Sequence, residues 1–264
     1  MFASRGRIRL YYEVLGPSSA PPLLMVRGLA RTARHWGSIV SLLADRFRVV
    51  VFDNRGIGRS SVPLPPYSTD SMADDAVAVL DAVGLDSAHV FGVSLGGMIV
   101  QKVALRHPKR VRSLVLGCTR AGPSAPKLPH TSVAALVGAM RLSPERAILE
   151  TAPLILSRGF IARHPEVPQR WAELAISEPP TRRGVFGQLL AAARHDAARR
   201  LRDIRVPVLA ITGDVDRLIP PECSEDIVRR MAGARLQVLP GVGHDFPTEM
   251  PEQTAQLLTD FCRD

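Results

Sequence analysis

Gly92-Val93-Ser94-Leu95-Gly96 fits the pattern G-x-S-x-G, in which a serine is held on a tight turn between a strand and a helix. The context is the one that pattern demands: AHVFGV reads as a strand and LGGMIVQKVALRH as a helix. Side chains at positions 92 and 96 would collide with neighbouring backbone in so sharp a turn, which explains the glycines there. Ser94 is thereby carried to the carboxyl end of its strand, beside a helix N-terminus. A glycine-rich turn with no chemistry is the plain alternative.

A serine hydroxyl is a weak nucleophile at neutral pH, so a reactive Ser94 needs a histidine base and a carboxylate to orient that base. Where a serine stands on such a turn, the acid follows it in the chain and the histidine follows the acid. Of seven histidines, only His244, in GVGHDF, lies in a glycine-flanked loop after a late strand. The acid is expected after the strand VPVLAIT, where ITGDVDRLIP offers Asp214 and Asp216. Asp216 is favoured because it stands further out in the turn, three residues after Gly213; Asp214 stays open. The other place for an acid, after VRSLVLG, reads CTRAGPSAP and holds no carboxylate.

The elements that must position these residues alternate in type. RIRLYYEV, PLLMV, FRVVVF, AHVFGV and VRSLVLG are strand-like, and amphipathic helical patterns near His35–Ala44, Ser71–Val83 and Leu95–His107 lie among them. Gly84 reads as the C-terminal cap of the second of these helices. This is the rhythm of a mostly parallel central sheet with helices on both faces. From about Arg120 to Gly187 the rhythm stops, and nine prolines break the segment into short helices. Val133, Leu136, Val137 and Met140 share one helical face, Ser143-Pro144 reads as a cap and first helical position, and Trp171 and Leu174 mark another helix. The rhythm then resumes with a helix into Leu201, VPVLAIT, a helix near Pro221–Met231, RLQVLP and a closing helix near Pro251–Phe261. The expected organisation is one α/β core in two parts, residues 1–119 and 188–264, with a helical lid inserted at 120–187.

Composition narrows the function classes. Apolar residues make up 46% and charged residues 22%, as in ordinary globular proteins. No apolar stretch approaches a membrane span, and MFASRGRIRLYYEV lacks the apolar run of a secretory signal, so a cytoplasmic protein without a membrane role is expected. The net charge of +9 comes from 31 arginines and 3 lysines scattered along the chain, with no run and no interleaved aromatics, which argues against a nucleic-acid partner. Cys118, Cys223 and Cys262 are too few and too far apart for a disulfide framework or a metal cluster. No HExxH or comparable spacing points to a metal, and no cofactor is expected.

Together, GVSLGG, FDNRGIGRS, ITGDVDRLIP and GVGHDF, in this order and spacing, resemble the α/β-hydrolase fold superfamily, in its branch of small esterases, enol-lactonases and cofactor-free haloperoxidases. The resemblance covers the core on both sides of the lid. It implies an α/β-hydrolase fold and a triad of Ser94, Asp216 and His244, with an oxyanion hole from two backbone N–H groups. One would belong to Leu95, the other to Leu29, in a loop where the family usually carries His-Gly. Here Arg27 replaces that histidine, and Val93 stands where a histidine often precedes the nucleophile. Asp53, Arg55 and Gly56 are similar to a segment that braces loops beside the site.

The implied activity is hydrolysis of small to medium apolar carboxylic esters through an acyl-enzyme. Lactone opening or carbon–carbon bond hydrolysis by the same triad is the runner-up, and perhydrolysis is a permitted side activity. A catalytically slow ligand receptor on the same fold is the rival of another class. Leu136, Met140, Leu154, Ile155, Trp171 and Phe186 are the candidate pocket residues of the lid, with Trp36 lining the pocket or packing the first helix.

Overall fold

The computed structural model describes residues 1–263 and contains one eight-stranded sheet. The strands are β1 (Phe2–Arg5), β2 (Ile8–Leu15), β3 (Pro22–Val26), β4 (Arg48–Phe52), β5 (Ala88–Val93), β6 (Val111–Gly117), β7 (Val208–Gly213) and β8 (Arg235–Leu239). Their order is β1-β2-β4-β3-β5-β6-β7-β8. β2 runs antiparallel to β1 and to β4, and every other pairing is parallel. The expected mostly parallel sheet is therefore present, with one hairpin, β1–β2, that the sequence pattern did not announce. Two polar residues, Arg5 and Arg7, flank Gly6 at its turn and hide the period of a strand only four residues long.

The central strands are apolar at successive positions because both faces are covered. In β3, Leu23 and Met25 point to one side, where α1 (Ile39–Ala44) and α11 (Pro251–Phe261) pack; Leu24 and Val26 point to the other, against α2 (Thr69–Val83) and α3 (Leu95–Arg106). All four side chains are fully buried, each contributing about 1.5–3 kcal/mol of hydrophobic stabilisation. α2 starts two residues before the predicted Ser71, because the Ser68 hydroxyl accepts the Ser71 N–H and caps the helix there. It ends on Gly84 at φ +74°, in the left-handed cap that the sequence predicts.

Between β6 and β7 the chain forms α4 (His130–Ala139), α5 (Pro144–Ile155), α6 (Arg158–Arg163), α7 (Glu166–Ser177) and α8 (Arg182–Ala193), with no strand among them. Position 187 lies inside α8. The helix expected to run into Leu201 stops at Ala193, where the chain turns back so that the Ala197 N–H reaches the Ala121 carbonyl; only a 3-10 turn, Leu201–Asp203, follows. This helical block is tied to the core at Ser157, between α5 and α6, and at Ser132 in α4. The Ser157 N–H and hydroxyl both donate to the Glu249 carboxylate, at 2.7 and 2.6 Å, and the Ser132 hydroxyl donates to the Arg217 carbonyl at 2.6 Å. The sheet order reverses between β3 and β5, so the crevice beyond their carboxyl ends is where a ligand is expected in an open α/β sheet. The helical block stands over that crevice. No helix among the described residues is long and apolar enough to cross a membrane.

Candidate active site

Ser94 joins β5 to α3 with φ +60° and ψ −122°, a conformation costly for any side-chain-bearing residue and held by its surroundings. Its N–H donates to the Gly117 carbonyl at 2.9 Å, and the Thr119 hydroxyl donates to its carbonyl at 2.8 Å. A Cβ on Gly96 would overlap the Val26 carbonyl, and one on Gly92 the backbone of Gly96. The glycines of GVSLGG are thus required by backbone packed on backbone.

β7 and β8 deliver the other two groups. The His244 Nδ1 lies 2.7 Å from Asp216 Oδ2, both side chains being buried. Asp216 Oδ1 accepts the N–H groups of Leu218 and Ile219 at 2.8 and 2.9 Å, fixing the carboxylate plane. This engagement of Nδ1 leaves Nε2 as the free ring nitrogen. Asp214 takes another position: it is exposed and accepts the Gly241 N–H at 2.6 Å, fastening the turns after β7 and β8.

The loop after β3 completes the site. A Cβ on Gly28 would stand 3.1 Å from the Ser94 Cβ, so the loop runs directly past the serine. The N–H groups of Leu29 and Leu95 have no hydrogen-bond acceptor among the described residues, and both residues line the same cavity as Ser94 and His244. Two free amides beside a strained serine can receive a developing oxyanion. Asn54 Nδ2 donates to the Arg27 carbonyl at 3.0 Å, and the Gln188 side chain on α8 receives the Ala30 N–H and donates to the Arg55 carbonyl, both at 2.9 Å. Asp53 accepts the N–H groups of Ala33 and Arg59 at 2.7 and 2.9 Å, and Arg55 pairs with Asp75 at 2.5 Å, so this segment does brace loops.

Four motifs and this geometry meet in the comparisons: the family model for the alpha/beta hydrolase fold matches residues 21–249. The chain belongs to the alpha/beta hydrolase fold family. A relative from Azorhizobium caulinodans, named "Putative carbamate hydrolase RutD", is 31% identical over 99% of this chain and 97% of its own. A thermophilic esterase from Thermogutta terrifontis superposes with TM-score 0.84 at 27% identity, over 98% of this chain and 95% of its own. The enol-lactonase from Burkholderia xenovorans LB400 shares the fold with TM-score 0.89 at 24% identity, over 99% of each chain. Hydrolase is the activity common to these names.

In this alpha/beta hydrolase the cavity has a volume of about 660 Å³. Of the candidate pocket residues, Leu136, Met140 and Ile155 line it. Leu154, Trp36, Trp171 and Phe186 do not. Trp36 is sealed in the core against Phe91, with ring centroids 5.2 Å apart; Trp171 packs against Phe160 beneath α6; Phe186 points outward and is 47% exposed. The helical face of Val133, Leu136, Val137 and Met140 is the cavity's roof, which explains why Val133 and Val137 remain partly open.

Arg27 does not disturb the loop; it is built into it. Its guanidinium grips Asp245 through two bonds of 2.8 Å each, lies 4.6 Å from the Trp36 ring centroid and donates to the His35 carbonyl. Burial opposes ionisation of Asp245, but the Arg27 charge and hydrogen bonds outweigh it and hold that carboxyl below its usual value. The loop bearing Leu29 is thereby bolted to the residue after His244. Sequence reasoning missed this pair, although its signal was present: a histidine replaced by Arg27 in one motif, and an acid beside His244 in another.

Cys118, at the end of β6, lies with Asp216 and His244 so that one donor atom of each falls within 4.8 Å of the others. Burial first, and the Asp216 charge second, push its thiol well above the ordinary value. A protonated thiol and a ring nitrogen already committed to Asp216 suit a hydrogen-bonded cluster and not a metal ion.

Proposed function

We propose that the protein is a serine hydrolase that cleaves carboxylic esters of small to medium size with an apolar part, using Ser94, His244 and Asp216. The observation that carries this reading is the 2.7 Å His244–Asp216 bond, opening onto one cavity with the strained Ser94 and the free amides of Leu29 and Leu95. His244 Nε2 takes the Ser94 proton as Oγ attacks the ester carbonyl carbon. The carbonyl oxygen becomes an oxyanion, held by the Leu29 and Leu95 N–H groups. Collapse breaks the bond to the alkoxide, which leaves with the proton from His244. Water, deprotonated by His244, then attacks the acyl-enzyme and frees the acid and Ser94.

The apolar face of α4 supports an apolar substrate portion, and the helical block from α4 to α8 acts as a cap that excludes water. Three buried cysteines that form no disulfide suit a reducing cytoplasm. Lactone and carbamate carbonyls suit the same machinery, the latter in keeping with the name of the Azorhizobium relative. A fluorophosphonate probe should label the wild type at Ser94 and leave Ser94→Ala unlabelled, and this variant should lose ester turnover by about 10⁶-fold while keeping its fold. A variant that still hydrolyses esters would overturn the mechanism. A panel of esters, lactones and carbamate esters then separates the carbonyl classes.

A further inference from the structure

Five arginines and two carboxylates line the cavity, so it carries a cationic excess beneath its apolar roof. The two acids are already engaged. Asp245 is held by Arg27, and Glu178 pairs with Arg34 at 3.2 Å. Among the cations, Arg31 stands apart because it is buried, only 9% exposed, and its guanidinium makes no hydrogen bond or ion pair with any described residue. It lies over the Trp171 ring of α7, with its Cζ 4.4 Å from the ring centroid, and its NH1 is buried without an acceptor. Trp171 is therefore a platform for Arg31 and does not itself line the cavity.

A guanidinium desolvated without a hydrogen-bonded anion is unfavourable, and a protein that keeps one in a ligand cavity gains when an anion fills the place. Burial pushes Arg31 down to about 10, opposed by the Asp245 charge, so it remains a cation at neutral pH. Trp171 supports the guanidinium from one side and NH1 is buried, so a carboxylate from the cavity would meet its remaining N–H groups. Arg31 also belongs to the loop that supplies Leu29: its N–H reaches the Gly28 carbonyl at 3.4 Å, and Gly28 is in contact with Ser94. Arg31 and Ser94 line the same cavity, so one substrate molecule can place a carboxylate on the first and its carbonyl at the second.

We infer that Arg31 is a specificity-determining residue that receives a carboxylate of the substrate, so that the preferred ester is a half-ester of a short dicarboxylic acid whose apolar part lies under α4. This rests on the serine hydrolase reading and narrows its substrate class.

The test compares monobutyl glutarate with butyl hexanoate, a neutral ester of similar length. The wild type should favour the half-ester in kcat/KM. Arg31→Met should lower that ratio by about 10- to 100-fold, chiefly through KM, and Arg31→Lys should restore part of it. A ratio unchanged in Arg31→Met, or a wild type that favours the neutral ester, overturns the inference. Calorimetry on the unmodified protein decides independently of turnover and of variant folding. Glutarate should bind where glutaramide does not, and equal behaviour of the two overturns the inference. Fluorophosphonate labelling of the wild type separates the two readings: labelled Ser94 without half-ester preference sinks the Arg31 proposal alone, whereas unlabelled Ser94 sinks the hydrolase mechanism while the glutarate result still judges Arg31.

Discussion

Replacing Arg27 by methionine removes from Asp245 the only cation that hydrogen-bonds it among the described residues and leaves a carboxylate that is 3% exposed with the Thr248 hydroxyl, at 2.9 Å, as its remaining side-chain donor there. Breaking a buried pair in this way destabilises by about 3–5 kcal/mol, because the remaining charge stays desolvated. The stacking of Arg27 on Trp36 and its bond to His35 are lost as well, whereas the nearby Arg31 charge offsets part of the damage. For a chain of this size the loss corresponds to a fall in Tm of about 6–20 °C. The double variant Arg27→Met, Asp245→Asn removes the stranded charge, so its loss should be smaller than the sum of the two single losses by about 2–3 kcal/mol.

The pH dependence carries the same logic with a definite sign. In the wild type the Asp245 pKa is held down, so its contribution is present above the unfolded value and lost as pH falls through the folded one. In Arg27→Met burial acts without the arginine and raises that pKa, so the variant should lose further stability as pH rises through the new folded value. Urea midpoints at pH 5 and pH 8 read this directly: the gap between wild type and Arg27→Met should widen at the higher pH. Additive single and double losses, or a gap independent of pH, would refute the claim that this pair is an electrostatic bolt and not mere filler. Because the pair joins the Leu29 loop to His244, ester turnover by the variant should fall in kcat as well.

Three further outcomes follow from named contacts. Asp216→Asn should lower kcat by about 10⁴-fold, since it spoils the His244 tautomer. Asp214→Asn should leave kcat in place and lower stability by no more than about 1 kcal/mol, because it fastens an exposed turn; esterase assays and urea titration distinguish them, and a reversal of the two would exchange their roles. His195 sits between the Thr69 hydroxyl and the Gln101 side chain, at 3.1 and 3.3 Å, with its pKa lowered to about 3 by burial first and then by the Lys102 and Arg120 charges. Its neutral form stabilises the fold above pH ~6.5, and that contribution is lost as pH falls toward 3, by about 1.4 kcal/mol per unit. The stability gap between wild type and His195→Gln should therefore shrink on acidification, and a constant gap in urea midpoints would contradict this.

Much of this was legible in the sequence because it was local. The strand-turn-helix around Ser94, the cap at Gly84 and the Ser143-Pro144 helix start, where the serine hydroxyl accepts the Arg146 N–H, depend on residues a few positions apart. The aromatic candidates misled for the opposite reason. Trp36 and Trp171 have the composition of pocket walls, but the side a ring presents is decided by what lies across from it, and both rings lie under arginines. Those arginines tell the rest of the story. A histidine beside Gly28 would be small and usually neutral, whereas Arg27 is a permanent charge that must find an anion; Asp245, 218 positions later, is that anion. Once Asp245 is gripped by Arg27, no carboxylate among the described residues hydrogen-bonds Arg31, which feels the Asp245 charge only at a distance. The departure at position 27 and the cation at position 31 are thus one electrostatic arrangement, in which the scaffold gives the first guanidinium a hydrogen-bonded carboxylate and leaves the second to the substrate.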